Sequence, residues 1–309
     1  MPSYVPGHGL LAGRTAVVTA AAGAGIGGAT ARKLLEEGAD VVLSDAHARR
    51  LKEAEDRLAE EFGARRVAAL PCDVTDEAQV VALFDLVEER HGRLDIVVNN
   101  AGLGGTADLV EMTDDQWGKV LDVTLNGTFR CTRAALRRMR EADEGGGDRG
   151  AACVRGGSDV SGGSGVRGGL SSGSGVRGDF SGGSGVRGGS GARGGSGVIV
   201  NNASVVGWRA QRGQAHYAAA KAGVMALTRC AAVEAAAYGV RVNAVSPSLA
   251  MHPHLAKVTT EELLAELTSR EAFGRHAEPW EVANVIVFLA SDYSSYMTGE
   301  VVPVSSQHA

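Results

Sequence analysis

An α/β fold is what this sequence predicts: one doubly wound parallel sheet of about seven strands, with helices on both faces. Three observations carry that expectation. Short runs at 14–19, 40–44, 66–70, 96–98, 198–200 and 240–245 are almost wholly apolar, as strands covered on both faces must be. Stretches with helical patterning alternate with them. A glycine-rich turn stands directly after the first run.

Taken in order, RTAVVT at 14–19 is a strand that runs into AAAGAGIGG at 20–28, and a helix follows to about 38. The second strand, 40–44, ends at Asp45. Strand, glycine turn, helix, strand and terminal acid make the Rossmann-type dinucleotide-binding arrangement. Around Gly23, Gly25, Ile26 and Gly27, backbone N–H groups and the helix N-terminus can approach a pyrophosphate. Asp45 can accept hydrogen bonds from a ribose 2′-hydroxyl and would repel a 2′-phosphate, which points to NAD(H) in preference to NADP(H). Arg49 and Arg50, close by, read as solvated charges on a helix face.

A helix over 48–62 leads to the strand at 66–70 and then to Cys72-Asp73-Val74. The helix at 76–90 carries an apolar stripe of Val80, Leu83, Phe84 and Val87. The strand at 96–98 ends in Asn99-Asn100-Ala101-Gly102. Ligands of such sheets sit at the carboxyl ends of the strands. Thr19, Asp45, Asp73, Asn100 and Ser204 all fall at such ends.

The fifth strand, 198–200, leads through Asn201, Asn202 and Ala203 to Ser204. Tyr217 and Lys221 follow in an alanine-rich stretch, 215–237, that is free of proline and therefore helical. A spacing of four residues puts Tyr217 and Lys221 on one helix face. A hydroxyl, a phenol and an ammonium together suit proton transfer to or from an alcohol or carbonyl oxygen. A phenol ordinarily titrates near pH 10, and a neighbouring cation is expected to bring it down.

The composition narrows the alternatives. In 309 residues, 44% hydrophobic and 22% charged, there is ample material for a core, and a single domain over 1–309 is expected. No run of about 18 apolar residues suggests a membrane span, and the first residues lack a secretion signal. Cys72, Cys131, Cys153 and Cys230 are widely spaced without C-x-x-C, which argues against a metal site or a disulfide framework and fits a reducing cytoplasm. A net charge of −5 gives no reason to expect nucleic-acid binding. Residues 145–197 hold 23 of the 44 glycines and repeat S-G-V-R-G every ten residues. So few apolar side chains predict a flexible, disordered insertion between the fourth helix and the fifth strand, at the sheet end opposite the site.

With these residues in hand the chain resembles the short-chain dehydrogenase/reductase family, over nearly its whole length outside the insertion. The resemblance rests on the glycine turn, Asp73-Val74, N-N-A-G at 99–102, Ser204 and Y-x-x-x-K at 217–221. It implies that Asp73 and Val74 contact the adenine, that Asn100, Ala101 and Gly102 line the cofactor, and that Pro247 stands beside it. It further implies that Tyr217 is the acid/base, with Lys221 on the nicotinamide ribose and Ser204 on the reacting oxygen. The expected reaction is interconversion of a secondary alcohol and a ketone by a homo-oligomer, a tetramer or dimer built through helices at 115–140 and 215–238.

Four departures from the family pattern stand out. Ala20 replaces the first glycine of the turn, so its φ is expected to be negative. Thr124 occupies the place of the family's catalytic asparagine, where its hydroxyl could bond a water. Pro247-Ser248 and Ser305-Ser306-Gln307 stand where glycine-bearing motifs are usual. This wording resembles an actinobacterial subgroup of the family that includes the reductase of a hydroxylated methyl-hexahydroindanone propanoyl-CoA, from steroid ring C and D breakdown. A small ketone or alcohol, steroid-derived or another acyl-CoA thioester, is the implied substrate. A 3-oxoacyl-ACP or -CoA reductase using NADPH is one alternative; a non-catalytic nucleotide-sensing protein on the same fold is another. Substrate contacts are expected from 103–107, 208–214 and 249–273. Trp208 could form a wall for a flat ring or pack beneath its loop, and His216 reads as a surface residue.

Overall fold

The computed structural model describes residues 2–147, 197–251 and 261–306. Its seven strands are β1 Thr15–Val18, β2 Asp40–Asp45, β3 Val67–Pro71, β4 Ile96–Asn99, β5 Val198–Asn202, β6 Arg241–Pro247 and β7 Val301–Val304. All pair in parallel in the order β3-β2-β1-β4-β5-β6-β7. The order turns back between β1 and β4, and there the glycine turn and Asn100 meet. β7 lies at the edge, where Pro303 can lack a backbone donor without breaking a ladder on both sides.

Alternate strand residues face two separate cores. Val17, Val42, Val97 and Ile199 meet Phe84 of α3 (Glu77–His91), Ala135 of α5 (Gly127–Gly147) and Ala232 of α6 (Ala215–Ala235). Val18, Leu43, Val98 and Val200 meet Leu34 of α1 (Ile26–Glu36), Leu51 of α2 (Ala48–Phe62) and Ile286 of α8 (Pro279–Ala290). The doubly wound expectation therefore holds. Two-residue periodicity also decides which face each polar residue takes at the ends of β4 and β5.

The helix expected over 115–140 is interrupted. After α4 (Asp114–Leu121), which starts on a Thr113–Gln116 capping box, a π turn spans Asp122–Asn126 before α5 begins. Thr124 sits inside that turn, and such insertions recur at functional positions. α5 runs on to Gly147, three residues into the expected insertion; the rest of that segment, 148–196, is outside the described residues.

Ala20 corrects a second expectation. Its φ is +52°, making it the non-glycine residue in left-handed conformation among the described residues. The turn keeps the shape a glycine would give it, at a cost of about 1–2 kcal/mol. Two flanking bonds hold it: Asn100 Nδ2 donates to the Ala20 carbonyl at 3.2 Å, and Ala21 N donates to Ser44 O at 2.9 Å. A Cβ on Gly27 would fall 2.3 Å from that same Ala20 oxygen, so the glycine there is required for the turn to close on α1.

Replacing Ala20 with glycine is expected to raise stability by about 0.5–1 kcal/mol, since relief of strain outweighs the added freedom of the unfolded chain. Urea unfolding of the two proteins measures it, and Ala20→Val should move the midpoint the other way.

Candidate active site

The site is built on the carboxyl edge of β4 and β5. These strands pair Asn99 with Asn201, so the two N-N-A stretches, 99–101 and 201–203, lie side by side. Asn99 and Asn201 face the helices: Asn99 Nδ2 donates to Asn201 Oδ1 at 2.8 Å and Thr132 Oγ1 at 3.0 Å, and Asn201 Nδ2 donates to Thr228 Oγ1 at 2.9 Å. These buried amide bonds fix α5 and α6 against the sheet, although Asn99 Oδ1 itself has no partner. One residue further on, Asn202 Nδ2 donates to Asn100 Oδ1 at 2.8 Å. Asn100 Nδ2 in turn reaches the carbonyls of Thr19 and Ala20, each at 3.2 Å.

β5 then delivers Ser204, whose extended backbone opens a short 3₁₀ turn, Val205–Gly207. That turn lies directly on α6, because a Cβ on Gly207 would fall 2.6 Å from Met225 Cε. The close approach brings the Ser204 hydroxyl to the Tyr217 side of α6, where it favours the ionised phenol. One helical turn on, Lys221 Nζ donates to the Asn202 carbonyl at 2.5 Å and lies 5.5 Å from the Tyr217 ring centroid. The structure thus brings Ser204, Tyr217 and Lys221 together as the spacing implied.

Their electrostatics differ from expectation. Burial pushes the Tyr217 phenol up to about 12, and the nearby Ser204 hydroxyl is what opposes it. Burial pulls Lys221 down to about 8. Lys221 was expected to lower the tyrosine. In the bare protein, desolvation dominates both groups and drives each toward its neutral form.

Thr124 also behaves differently. Its hydroxyl accepts from Leu103 N at 2.9 Å and donates to Leu103 O at 3.2 Å, so one hydroxyl serves as both acceptor and donor to the same backbone residue. The residue is fully buried, and its carbonyl accepts from Thr128 Oγ1 at 2.8 Å. The hydroxyl expected to bind a water instead anchors the loop after Gly102. Asn126 is exposed and turned back onto Asp122.

The dinucleotide residues fit a nucleotide. α1 starts at Gly25 with no side chain capping its N-terminus and no acid in its first turn, which leaves its N–H groups open to an anion. A Cβ on Gly23 would meet only Gly25 N, at 3.8 Å. Asp45 is half-buried at the end of β2, with its carboxylate accepting from Ala22 N at 3.3 Å and His47 N at 2.9 Å; burial raises its pKa. Asp73 is exposed and folded onto Thr75, while Val74 is buried under Gly127. Pro247 ends β6 on the same edge. Asn100 acts through the turn it braces, and Gly102 approaches Lys221: a Cβ there would lie 3.4 Å from Nζ. Among the described residues no group of His, Cys, Asp and Glu could hold a metal ion, and no helix is long and apolar enough to cross a membrane.

Two loops expected to touch substrate meet each other. Ala107 N donates to Gly213 O at 3.0 Å, and Arg212 pairs with Asp108 at 2.7 Å. Beside them lies a cavity of about 200 Å³ lined by Leu103, Gly105, Ala107, Gln116, Lys119 and His216. His216 is 2% exposed, which corrects its reading as a surface residue, and its Nδ1 has no partner. An alanine-rich helix has no polar face to mark such a burial in advance. A second cavity, about 260 Å³, lies between Val206, Arg209, Leu267 of α7 (Glu261–Ser269) and Arg270 just beyond it. Trp208 is half-exposed rather than packed beneath its loop. His252 and His254 are outside the described residues.

Comparison with known proteins gives a consistent result. The family model described as short chain dehydrogenase matches residues 14–147, and one described as enoyl-(acyl carrier protein) reductase matches 189–306. The (5R,7aS)-5-hydroxy-7a-methyl-1-oxo-2,3,5,6,7,7a-hexahydro-1H-indene-carboxyl-CoA reductase of Mycobacterium tuberculosis is 54% identical, over 99% of this chain and 97% of that protein. A 3-oxoacyl-acyl-carrier-protein reductase of Thermotoga maritima is 33% identical, over 95% of this chain and 97% of that one. A crystal structure of a short chain dehydrogenase from Mycobacterium smegmatis superposes with a TM-score of 0.74 at 50% identity, covering 100% of this chain and 98% of that one.

The depressed pKa of Lys221 makes a prediction about stability. The unfolded lysine holds its proton to about pH 10.4, whereas the folded one releases it near 8. Stability therefore rises between those values and is flat below them. Wild type measured against Lys221→Met, in which Tyr217 is common and cancels, should gain stability across that window in urea titrations; a difference independent of pH would contradict the assignment.

Proposed function

This chain belongs to the short-chain dehydrogenase/reductase family and is an oxidoreductase, and from that premise we propose that it interconverts a secondary alcohol and a ketone on a fused-ring CoA thioester with NAD(H). The observation that carries this reading is the gathering of Ser204, Tyr217 and Lys221 at the sheet edge, with Lys221 held on the Asn202 carbonyl 5.5 Å from the Tyr217 ring centroid. A nicotinamide dinucleotide, when bound, supplies the hydride donor or acceptor. Gly23, Gly25, Ile26, Gly27 and Asp45 would hold it, with Asp73, Val74, Asn100 to Gly102 and Pro247 along its length.

In oxidation Tyr217, as phenolate, accepts the hydroxyl proton of the substrate while Ser204 donates a hydrogen bond to the reacting oxygen. In reduction the same phenol returns the proton. The half-buried carboxylate of Asp45 favours NAD(H), because a 2′-phosphate brought against it would be repelled. With that cofactor, oxidation is the direction expected in the cell.

The substrate class comes from the mycobacterial relative, whose substrate name carries a ring hydroxyl, a second ring oxygen and a thioester. That chemistry suits a six-five ring remnant of a steroid. The cavity beside Leu103 offers apolar lining, with Gln116, Lys119 and the unpartnered His216 available to a second oxygen. Homo-oligomer formation through α5 and α6 and cytoplasmic residence complete the proposal. Exposed Phe129 and Val233 on those helices support the first, and free cysteines support the second.

Turnover of a hydroxy-hexahydroindanone carboxyl-CoA is the test, followed by absorbance of the reduced nicotinamide. Wild type should act with NAD(H) and bind NADH at least tenfold more tightly than NADPH. Tyr217→Phe should lose at least a hundredfold in kcat while still binding NADH. Full activity in that variant would refute the mechanism; a preference for NADPH and simple 3-oxoacyl thioesters would replace the substrate assignment.

A further inference from the structure

We propose that His216 is a specificity-determining residue, its ring Nε2 donating a hydrogen bond to the ketone oxygen on the substrate ring that does not react. This deepens, and rests on, the fused-ring CoA thioester proposed above as substrate. The space concerned is the cavity of about 200 Å³ beside the Leu103 loop. Chain continuity puts it next to the chemistry. Leu103 directly follows Gly102, which approaches Lys221, and His216 directly precedes Tyr217 on α6. The Ala107–Gly213 bond and the Asp108–Arg212 pair tie together the two loops that lead into it.

His216 is the residue that packing leaves unexplained. It is buried, and its Nδ1 is covered without a partner, whereas native structures bond most buried polar side-chain atoms. Nε2 lies toward Gly105: a Cβ there would fall 3.2 Å from Nε2 and 3.9 Å from Cε1. Gly105 itself lines the cavity, so Nε2 is the ring nitrogen that opens on it, and the missing side chain keeps it open. The other nitrogen-bearing side chains of the lining are donors as well. Gln116 commits its Oε1 to Thr113 N at 3.0 Å, which leaves its amide nitrogen to donate. Lys119 can only donate. Among the described residues no carboxylate lines the cavity. Donors set around Leu103, Ala107 and Val120 suit an apolar ring that carries an acceptor oxygen. A carbonyl accepts and cannot donate, so it draws the imidazole proton to Nε2.

Besides the reacting oxygen, the substrate has a thioester oxygen and a ring ketone, and size decides between them. The thioester carries the whole coenzyme arm, and even drug-sized ligands fill about 300–1,000 Å³. A cavity of about 200 Å³ admits a small ring and not that arm. The ring ketone therefore enters. A substrate without it would leave the His216 donor unpaired, which is how a site built to hydrogen-bond one group rejects an analogue that lacks it.

The full-length protein with NAD⁺ tests this on two substrates, a hydroxy-hexahydroindanone carboxyl-CoA and its analogue with methylene in place of the ring ketone. Wild type should favour the ketone about thirtyfold or more in kcat/KM, chiefly through KM. His216→Leu should narrow that ratio about tenfold, with NADH affinity within about twofold of wild type. His216→Gln, whose amide can still donate, should keep more of the ratio than His216→Leu. Gly105→Ala, which crowds Nε2, should narrow it about threefold. Should His216→Leu not fold, Gly105→Ala decides by the same ratio. A ratio unmoved in His216→Leu, or equal losses on both substrates, would overturn the proposal. A wild type that turns over both substrates alike would overturn it too and leave the function proposed above intact. A wild type inactive on both would refute that function, and this inference with it.

Discussion

The costliest group in this structure is an ammonium buried at the edge of a sheet. Lys221 is almost wholly covered, and no carboxylate pairs with it among the described residues. An unpaired buried charge costs several kcal/mol even after relaxation. Here a charge-assisted bond to the Asn202 carbonyl offsets part of that cost. Position therefore matters more than composition: that carbonyl has to be held within hydrogen-bond reach of one helix face. The β4–β5 register, the Asn99–Asn201 bond and the grip of Asn201 on Thr228 of α6 all serve that placement.

The same edge couples the lysine to the nucleotide turn. From Lys221 an unbroken series of bonds passes through Asn202 and Asn100 to the carbonyls of Thr19 and Ala20. Ala20 can remain in left-handed conformation because this series grips it from one side and Ser44 from the other. Strain in the turn and burial of the lysine are thus supported by one network, and its members sit on rigid strands. Thr124 closes the opposite side by tying the loop at Leu103 to the π turn.

Much of this was legible in the sequence. Apolar runs marked six strands to within two residues, since a strand covered on both faces has no polar positions to confuse it. The helix over Ala48–Phe62 was legible to the residue, and the i, i+4 spacing foretold that Tyr217 and Lys221 share one face of α6. What escaped depends on contacts between distant segments. The sign of φ at Ala20 is set by Asn100, some 80 residues away. Burial of His216 is set by the loop at Gly105, and the fate of the Thr124 hydroxyl by Leu103. One further signal lies in the sequence: N-N-A occurs twice, at two strand ends. In-register pairing of two such ends places amide against amide.

Desolvation leaves the bare site with its tyrosine too weak an acid and its lysine too weakly held to its proton. Under the mechanism proposed above, a positively charged nicotinamide, once bound, would have to reverse the first of these for catalysis near neutrality. An ultraviolet difference titration of wild type against Tyr217→Phe, with and without NAD⁺, measures this directly. The account predicts a phenol that ionises near 12 in the free protein and at a distinctly lower pH with NAD⁺ bound. A phenol already ionising below its usual value of about 10 without cofactor, or one unmoved by NAD⁺, would contradict it.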